Sequence, residues 1–147
     1  MHTSRLLLVE DDDCVADAFV EILTREGYQV DRARNGAEGL TSLRTGSTPT
    51  LILLDWIMPV LNGPEMVRSM QQELSWSRIP IVLITASDEA KDQTLALRAS
   101  GYLKKPVDPA DLVRMVNAIV REPTTPRSNR LGVGGDHPTL DRMARLA

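Results

Sequence analysis

One feature of the sequence constrains the fold more than any other: short apolar runs alternate along the chain with longer segments in which apolar residues recur at three- and four-residue spacing. Strand-length runs separated by helix-length amphipathic segments imply βαβ units and a parallel sheet, because parallel neighbours need a long crossover that a helix fills. The runs predict strands over Arg5–Val9, Gln29–Ala33, Leu51–Leu54, Ile81–Ile84 and Gly101–Lys104. Leu51–Leu54 and Ile81–Ile84 are apolar throughout, as strands covered by helices on both faces must be. Gln29-Val30-Asp31 alternates polar and apolar, as an edge strand does. A doubly wound α/β sheet in the order 2-1-3-4-5 accommodates all of them.

Helix boundaries are written in cap residues. Asp12 or Asp13 caps a helix with Val15, Ala18, Phe19, Ile22 and Leu23 on one side, and Gly27 lies just past its end. Asn35 caps a second, with Glu38 placed to complete a capping-box-like pair and Gly46 as the stop. Asn62-Gly63-Pro64 opens a third, predicted to bury Met66, Val67, Met70 and Leu74. A final helix follows Asp108, turns Leu112, Val116, Ile119 and Val120 inward, and ends near Arg121. The intervening segment 88–98 has Leu95 and Leu97 two positions apart, so a helix there is expected to be mobile or to face a partner.

From Pro123 the composition shifts to Pro, Thr, Ser, Arg and Gly, which divides the chain into a domain over 1–122 and a tail over 123–147 able to form a short terminal helix. The tail's four arginines and two aspartates make it net +2 against −5 for the domain, within a formal −3 for the whole chain. No broad basic field exists to hold a nucleic acid, and no second domain for DNA output is expected after residue 121. No apolar stretch is long enough for a signal peptide or a membrane span, so a cytoplasmic protein without membrane contact is expected. Cys14 is the lone cysteine and is read as a small apolar residue of the first helix.

Polar residues without a packing role fall at the carboxyl ends of strands: Glu10 and Asp11, Asp55, Thr85 and Lys105. Open α/β sheets bind ligands at that edge, and the switch point between strands one and three would bring Asp11 and Asp55 into one crevice beside Glu10. Three carboxylates together call for a cation, and an all-oxygen donor set favours Mg²⁺ or Mn²⁺ over Zn²⁺. A carboxylate so placed can attack phosphorus and form an acyl phosphate, with Lys105 and Thr85 stabilising the phosphoryl oxygens. Any one of these residues could be an ordinary surface acid, cap or solvated lysine; four strand ends agreeing is what carries the reading.

In Leu8-Val9-Glu10-Asp11-Asp12, Leu54-Asp55-Trp56-Ile57-Met58-Pro59 with Asn62-Gly63, Ile84-Thr85-Ala86 and Gly101-Tyr102-Leu103-Lys104-Lys105-Pro106, the sequence resembles the response-regulator receiver family of two-component signalling over residues 5 to 121, most closely single-domain chemotaxis-type members. The resemblance implies a flavodoxin-like (βα)5 fold, Asp55 as phosphoacceptor, and Asp11, Asp55 and the backbone carbonyl of Ile57 as Mg²⁺ ligands with Glu10 as an indirect partner in the acidic pocket. It implies further that Lys105 binds phosphate, that Lys105–Pro106 is cis, and that Thr85 and Tyr102 form a switch pair. A histidine kinase or phosphotransfer protein would donate the phosphoryl group. Output would pass to a protein target or a self-dimer through the segment 88–98, the strand 101–104 and the helix after Asp108, and the chain would catalyse only its own phosphorylation and dephosphorylation. Two departures stand out: Thr85 to Tyr102 is about two residues short, and Arg98 replaces the glycine that ends the preceding helix, so an altered helix end is expected there.

Three other functions fit less well. A flavin mononucleotide carrier would need a donor-rich loop after strand one, where Glu10 to Asp13 repel phosphate. A dehalogenase-type phosphatase would carry a second aspartate where Ile57 stands. A receiver-fold interaction module working without phosphorylation would not require the complete set of acids, Thr85 and Lys105.

Overall fold

The computed structural model describes residues 4–86, 92 and 98–121. In chain order these form β1 (Arg5–Val9), α1 (Asp13–Arg25), β2 (Gln29–Ala33), α2 (Gly36–Thr45), β3 (Leu51–Asp55), α3 (Gly63–Gln71), β4 (Ile81–Thr85), β5 (Gly101–Lys104) and α4 (Pro109–Arg121). The strands make one parallel sheet in the predicted order, β2-β1-β3-β4-β5. β3 and β4 each run one residue beyond the predicted end and so take in Asp55 and Thr85. Apart from positions 92 and 98, the helix predicted over 88–98 lies outside the described residues, as does the tail from 123.

Strand side chains alternate between two layers. Leu6, Leu8, Leu53 and Ile84 meet Phe19 and Leu23 of α1 and Leu112, Met115 and Val116 of α4. Leu7, Val9, Ile52 and Leu54 meet Leu40 and Leu43 of α2 and Met66 and Met70 of α3. β3 is buried at every position. Burying each large aliphatic side chain contributes roughly 1.5–3 kcal/mol, so the central strands are anchored firmly up to the edge where the polar residues emerge.

The helix starts follow the sequence closely. Asp12 caps α1 by accepting the Val15 N–H at 3.1 Å, and Gly27 takes φ 96° after the end. Asn62 and Glu65 form a reciprocal capping box on α3. Asn35 caps α2 by accepting the Glu38 N–H, but Glu38 does not close the box on Asn35: its Oε1 accepts the Arg34 N–H at 2.9 Å, one residue earlier.

Two other expectations are corrected. Leu74 is 91% exposed, because α3 ends at Gln71 and the chain turns away; Trp76 and Ile79 join the inner layer instead. Cys14 is exposed, on the opposite side of α1 from Ala16, Phe19 and Leu23. Arg98 takes φ 58°, a left-handed conformation that costs a non-glycine residue about 1–2 kcal/mol; the altered helix end expected before it lies outside the described residues. No helix among the described residues is long and apolar enough to cross a membrane.

Candidate functional site

The acidic run after β1 separates into four distinct placements. Glu10 is 0% exposed. Its main-chain N–H donates to the Ala33 carbonyl at 3.0 Å, and its Oε2 accepts the Asp12 N–H at 3.2 Å. Its Oε1 lies 3.1 Å from Lys105 Nζ, near enough for an ion pair but outside hydrogen-bond geometry, so this buried oxygen has a charged neighbour and no directed donor. Asp11 is exposed and offers an oxygen within 4.8 Å of oxygens from Glu10 and Asp55. Asp12 is occupied as the cap of α1, and Asp13 Oδ1 is bound by Arg32 Nη1 at 2.9 Å and Arg34 Nη1 at 2.8 Å. The Arg32 hydrogen bond, then the Arg34 charge, hold the Asp13 carboxyl below the usual aspartate range.

Asp55 ends β3, in register with Ile84, and is buried. Lys105 Nζ stands 3.4 Å from its Oδ1. Burial first, then hydrogen bonding to and repulsion from Glu10, push the Asp55 carboxyl up to about 7, with the Lys105 ammonium pulling the other way. Burial disfavours the Lys105 ammonium, yet the charges of Asp55 and Glu10 outweigh it and raise Lys105 above the ordinary lysine value. Two main-chain features deliver Lys105: its N–H donates to the Thr85 carbonyl at 2.8 Å, and the Lys105–Pro106 bond is cis, as the resemblance implied.

Thr85 is buried at the end of β4, one step beyond Ile84, while Tyr102 of β5 is half-buried against the layer of α2 and α3. The loop after β3 carries Ile57 with its side chain in solvent and Val60 at φ 69°. Within that loop Leu61 N–H donates to the Pro59 carbonyl at 2.8 Å, and Gly36 N–H of α2 donates to the Leu61 carbonyl at 2.8 Å.

Glu10, Asp11, Asp55 and Lys105 therefore converge, with Thr85 next along the same sheet edge. Three carboxylates against one ammonium, all-oxygen donors, and a buried Glu10 oxygen without a directed donor fit a hard divalent cation better than zinc. Sequence reasoning missed Arg32, whose Nε and Nη2 both donate to the Glu10 carbonyl, at 3.1 and 2.8 Å. The signal was its parity: Arg32 shares a strand face with Val30, which packs in the core, so its side chain is aimed over the end of β1.

The response regulator receiver domain profile matches residues 6–117. The chain belongs to that family. It is 33% identical to the protein PilH of Pseudomonas aeruginosa over 119 residues, covering 80% of this receiver and 98% of PilH. Among solved structures, CheY4 of Vibrio cholerae matches with TM-score 0.73 at 28% identity, covering 80% of this chain and 99% of CheY4. The Mn²⁺-bound form of response regulator Rcp1 matches with TM-score 0.69 at 28% identity, covering 84% and 99%. Against other curated relatives, described as transcriptional or DNA-binding regulators, the receiver spans only 54% and 56% of their length. Receiver domains are signalling switches that work through histidine kinases and downstream targets, not conventional enzymes.

Proposed function

We propose that this receiver is switched by divalent-metal-dependent phosphorylation of Asp55. The observation that carries the reading is the burial of Asp55 at the end of β3 within 3.4 Å of Lys105 and within a ligand's reach of Glu10 and Asp11. An Asp55 carboxylate oxygen forms the new bond to phosphorus while the donor's bond breaks, P–N from a phosphohistidine or P–O from acetyl phosphate, and the leaving group departs with that electron pair. Asp11, Asp55 and the Ile57 carbonyl would hold Mg²⁺ or Mn²⁺, with Glu10 behind them. A bound cation there neutralises the acid cluster and binds phosphoryl oxygen. Because metal-free Asp55 titrates near 7, part of it is protonated and non-nucleophilic at neutral pH, and a cation favours the reactive carboxylate.

After transfer, Lys105 exchanges the Asp55 carboxylate for the phosphoryl group, and the Thr85 hydroxyl joins it with Tyr102 turning inward behind. Moving a two-state equilibrium from 1:99 to 99:1 takes about 5.5 kcal/mol, and charge-assisted hydrogen bonds contribute roughly 1.5–3 each; two or three new bonds suffice. The functional unit is residues 1–122 in the cytoplasm, phosphorylated by a histidine kinase or phosphotransfer protein. The segment 88–98, together with β5 and α4, then changes its protein partner or dimerises. Support comes from the receiver match and the Mn²⁺-bound relative.

The test is intact mass after incubation with acetyl phosphate and Mg²⁺, for wild type and Asp55→Asn, with Trp56 fluorescence followed during Mg²⁺ addition. A metal-dependent phosphoryl adduct lost in the variant is expected. No adduct together with no metal response would leave the phosphorylation-independent interaction module as the reading.

A further inference from the structure

We propose that Arg32 is a positioning residue for the acidic pocket, acting through the main chain of Glu10. Its guanidinium spans the end of β1: Nε and Nη2 grip the Glu10 carbonyl at 3.1 and 2.8 Å, and Nη1 holds Asp13 Oδ1, in the first turn of α1, at 2.9 Å. On the other side, the Glu10 N–H is taken by Ala33. Glu10 is thus pinned at both its amide and its carbonyl to β2, and Asp11 and Asp12, between the two gripped residues, inherit that geometry. The Arg32 side chain is only 18% exposed, unlike Arg34, which shares Asp13 but has no bond to Glu10 and is 59% exposed. A planar fork able to place two donors on one oxygen and a third on a carboxylate is specific to arginine.

The inference rests on the metal-dependent reading of the site, and it makes a prediction of opposite sign to simple electrostatics. Arg32 is a cation beside a cation site, so if it acted only through its charge, Arg32→Gln would tighten Mg²⁺ binding. As a positioning residue its loss weakens binding, by roughly ten-fold, the usual effect of removing a group that orients metal ligands. Arg32→Lys keeps the charge and loses the fork, so most of the weakening should persist; Arg34→Gln should change affinity less than about two-fold.

The experiment titrates Mg²⁺ by Trp56 fluorescence in wild type, Arg32→Gln, Arg32→Lys and Arg34→Gln, and follows amide exchange of Asp12 without metal. Asp12 N–H is bonded to Glu10 Oε2, so loss of the clamp should speed its exchange about ten-fold in both Arg32 variants. Weaker Mg²⁺ binding with faster Asp12 exchange supports the clamp. Unchanged or tighter binding, or equal effects at Arg34, overturns it. If Arg32→Gln does not fold, Arg32→Lys carries both readouts. A wild type that does not respond to Mg²⁺ would instead sink the metal-site reading, and the metal-free exchange would still decide whether Arg32 holds the turn.

Discussion

The two chain segments that flank Asp55 are built on different principles. The turn after β1 is a charge network: Glu10 faces Lys105, Asp12 caps α1, and Asp13 joins two arginines of the β2 end. The loop after β3 contains no ion pairs among the described residues; it is held by main-chain bonds, Gly36 to Leu61, Leu61 to Pro59 and Gly63 to Trp56, and closes on the Asn62–Glu65 capping box. It also stores strain, since Val60 is β-branched, 80% exposed and at φ 69°. Perturbations of charge and pH should therefore act on the first segment and perturbations of shape on the second.

The largest test of that contrast is Lys105→Met, which leaves two buried carboxylates facing each other without their shared ammonium. A loss of about 3 kcal/mol in urea denaturation at pH 8 is expected, the low end for breaking a buried pair because Lys105 keeps some solvent contact. Lys105 is raised in the folded state, so its contribution is complete below the ordinary lysine range and is lost as pH rises through the elevated value. On the acid side the contribution fades as Asp55 takes up its proton near 7. Equal losses at pH 5 and pH 8 would mean that Lys105 packs rather than pairs.

Next in size is Asp55→Asn in the metal-free protein, which should be stabilising. Folding raises the Asp55 carboxyl from 3.8 to about 7, so the folded state holds the proton more tightly than the unfolded state. The Asp55 contribution to wild-type stability is then full below about pH 4 and falls as pH climbs toward 7. At about 1.4 kcal/mol per pH unit the ceiling is about 4 kcal/mol; burying an amide that must find its own partners reduces the expected gain to about 2 kcal/mol at pH 8. Thermal unfolding at pH 8 and pH 4 checks this, with no difference expected at the lower pH.

A shape change should behave in the opposite way. A Cβ on Gly36 would stand 2.6 Å from the Leu61 carbonyl, a main-chain atom that cannot swing aside. Gly36→Ala is expected to lose about 1.5 kcal/mol, nearly independent of pH between 4 and 8, with a changed Trp56 emission as the loop shifts. A strong pH dependence would show that the β3 loop is coupled to the acids after all.

What could be read in advance follows the same division. Strand positions and helix starts were legible because they depend on local period and caps: Asp12, Asn35 and Asn62 act where their side chains can reach their own helix. Leu74 failed because apolar spacing continues past the point where the backbone leaves the helix. Within the run Glu10 to Asp13 the sequence left the cap open between Asp12 and Asp13 and gave no partner for Asp13, and only pairing of Leu8 with Arg32 brings a guanidinium to Glu10 and Asp13. Register is a long-range quantity, invisible until two strands are laid side by side, and the Lys105–Asp55 distance depends on it in the same way.

The smallest effect is expected at Val60, where strain can be relieved without touching charge. A left-handed conformation costs a non-glycine residue about 1–2 kcal/mol, and glycine returns about 0.5–1 kcal/mol of that through its freer unfolded chain. With the side chain largely in solvent, little packing is lost, so Val60→Gly should gain about 0.5 kcal/mol in urea denaturation. The same change should speed amide exchange at Leu61, whose N–H closes the tight turn on Pro59. Greater stability with a looser loop would show that the strain serves to hold the backbone beside Asp55 rigid, as the ion pairs do on the other side. Lower stability would mean that Val60 is not strained at all, and that the two flanks of the site differ only in charge.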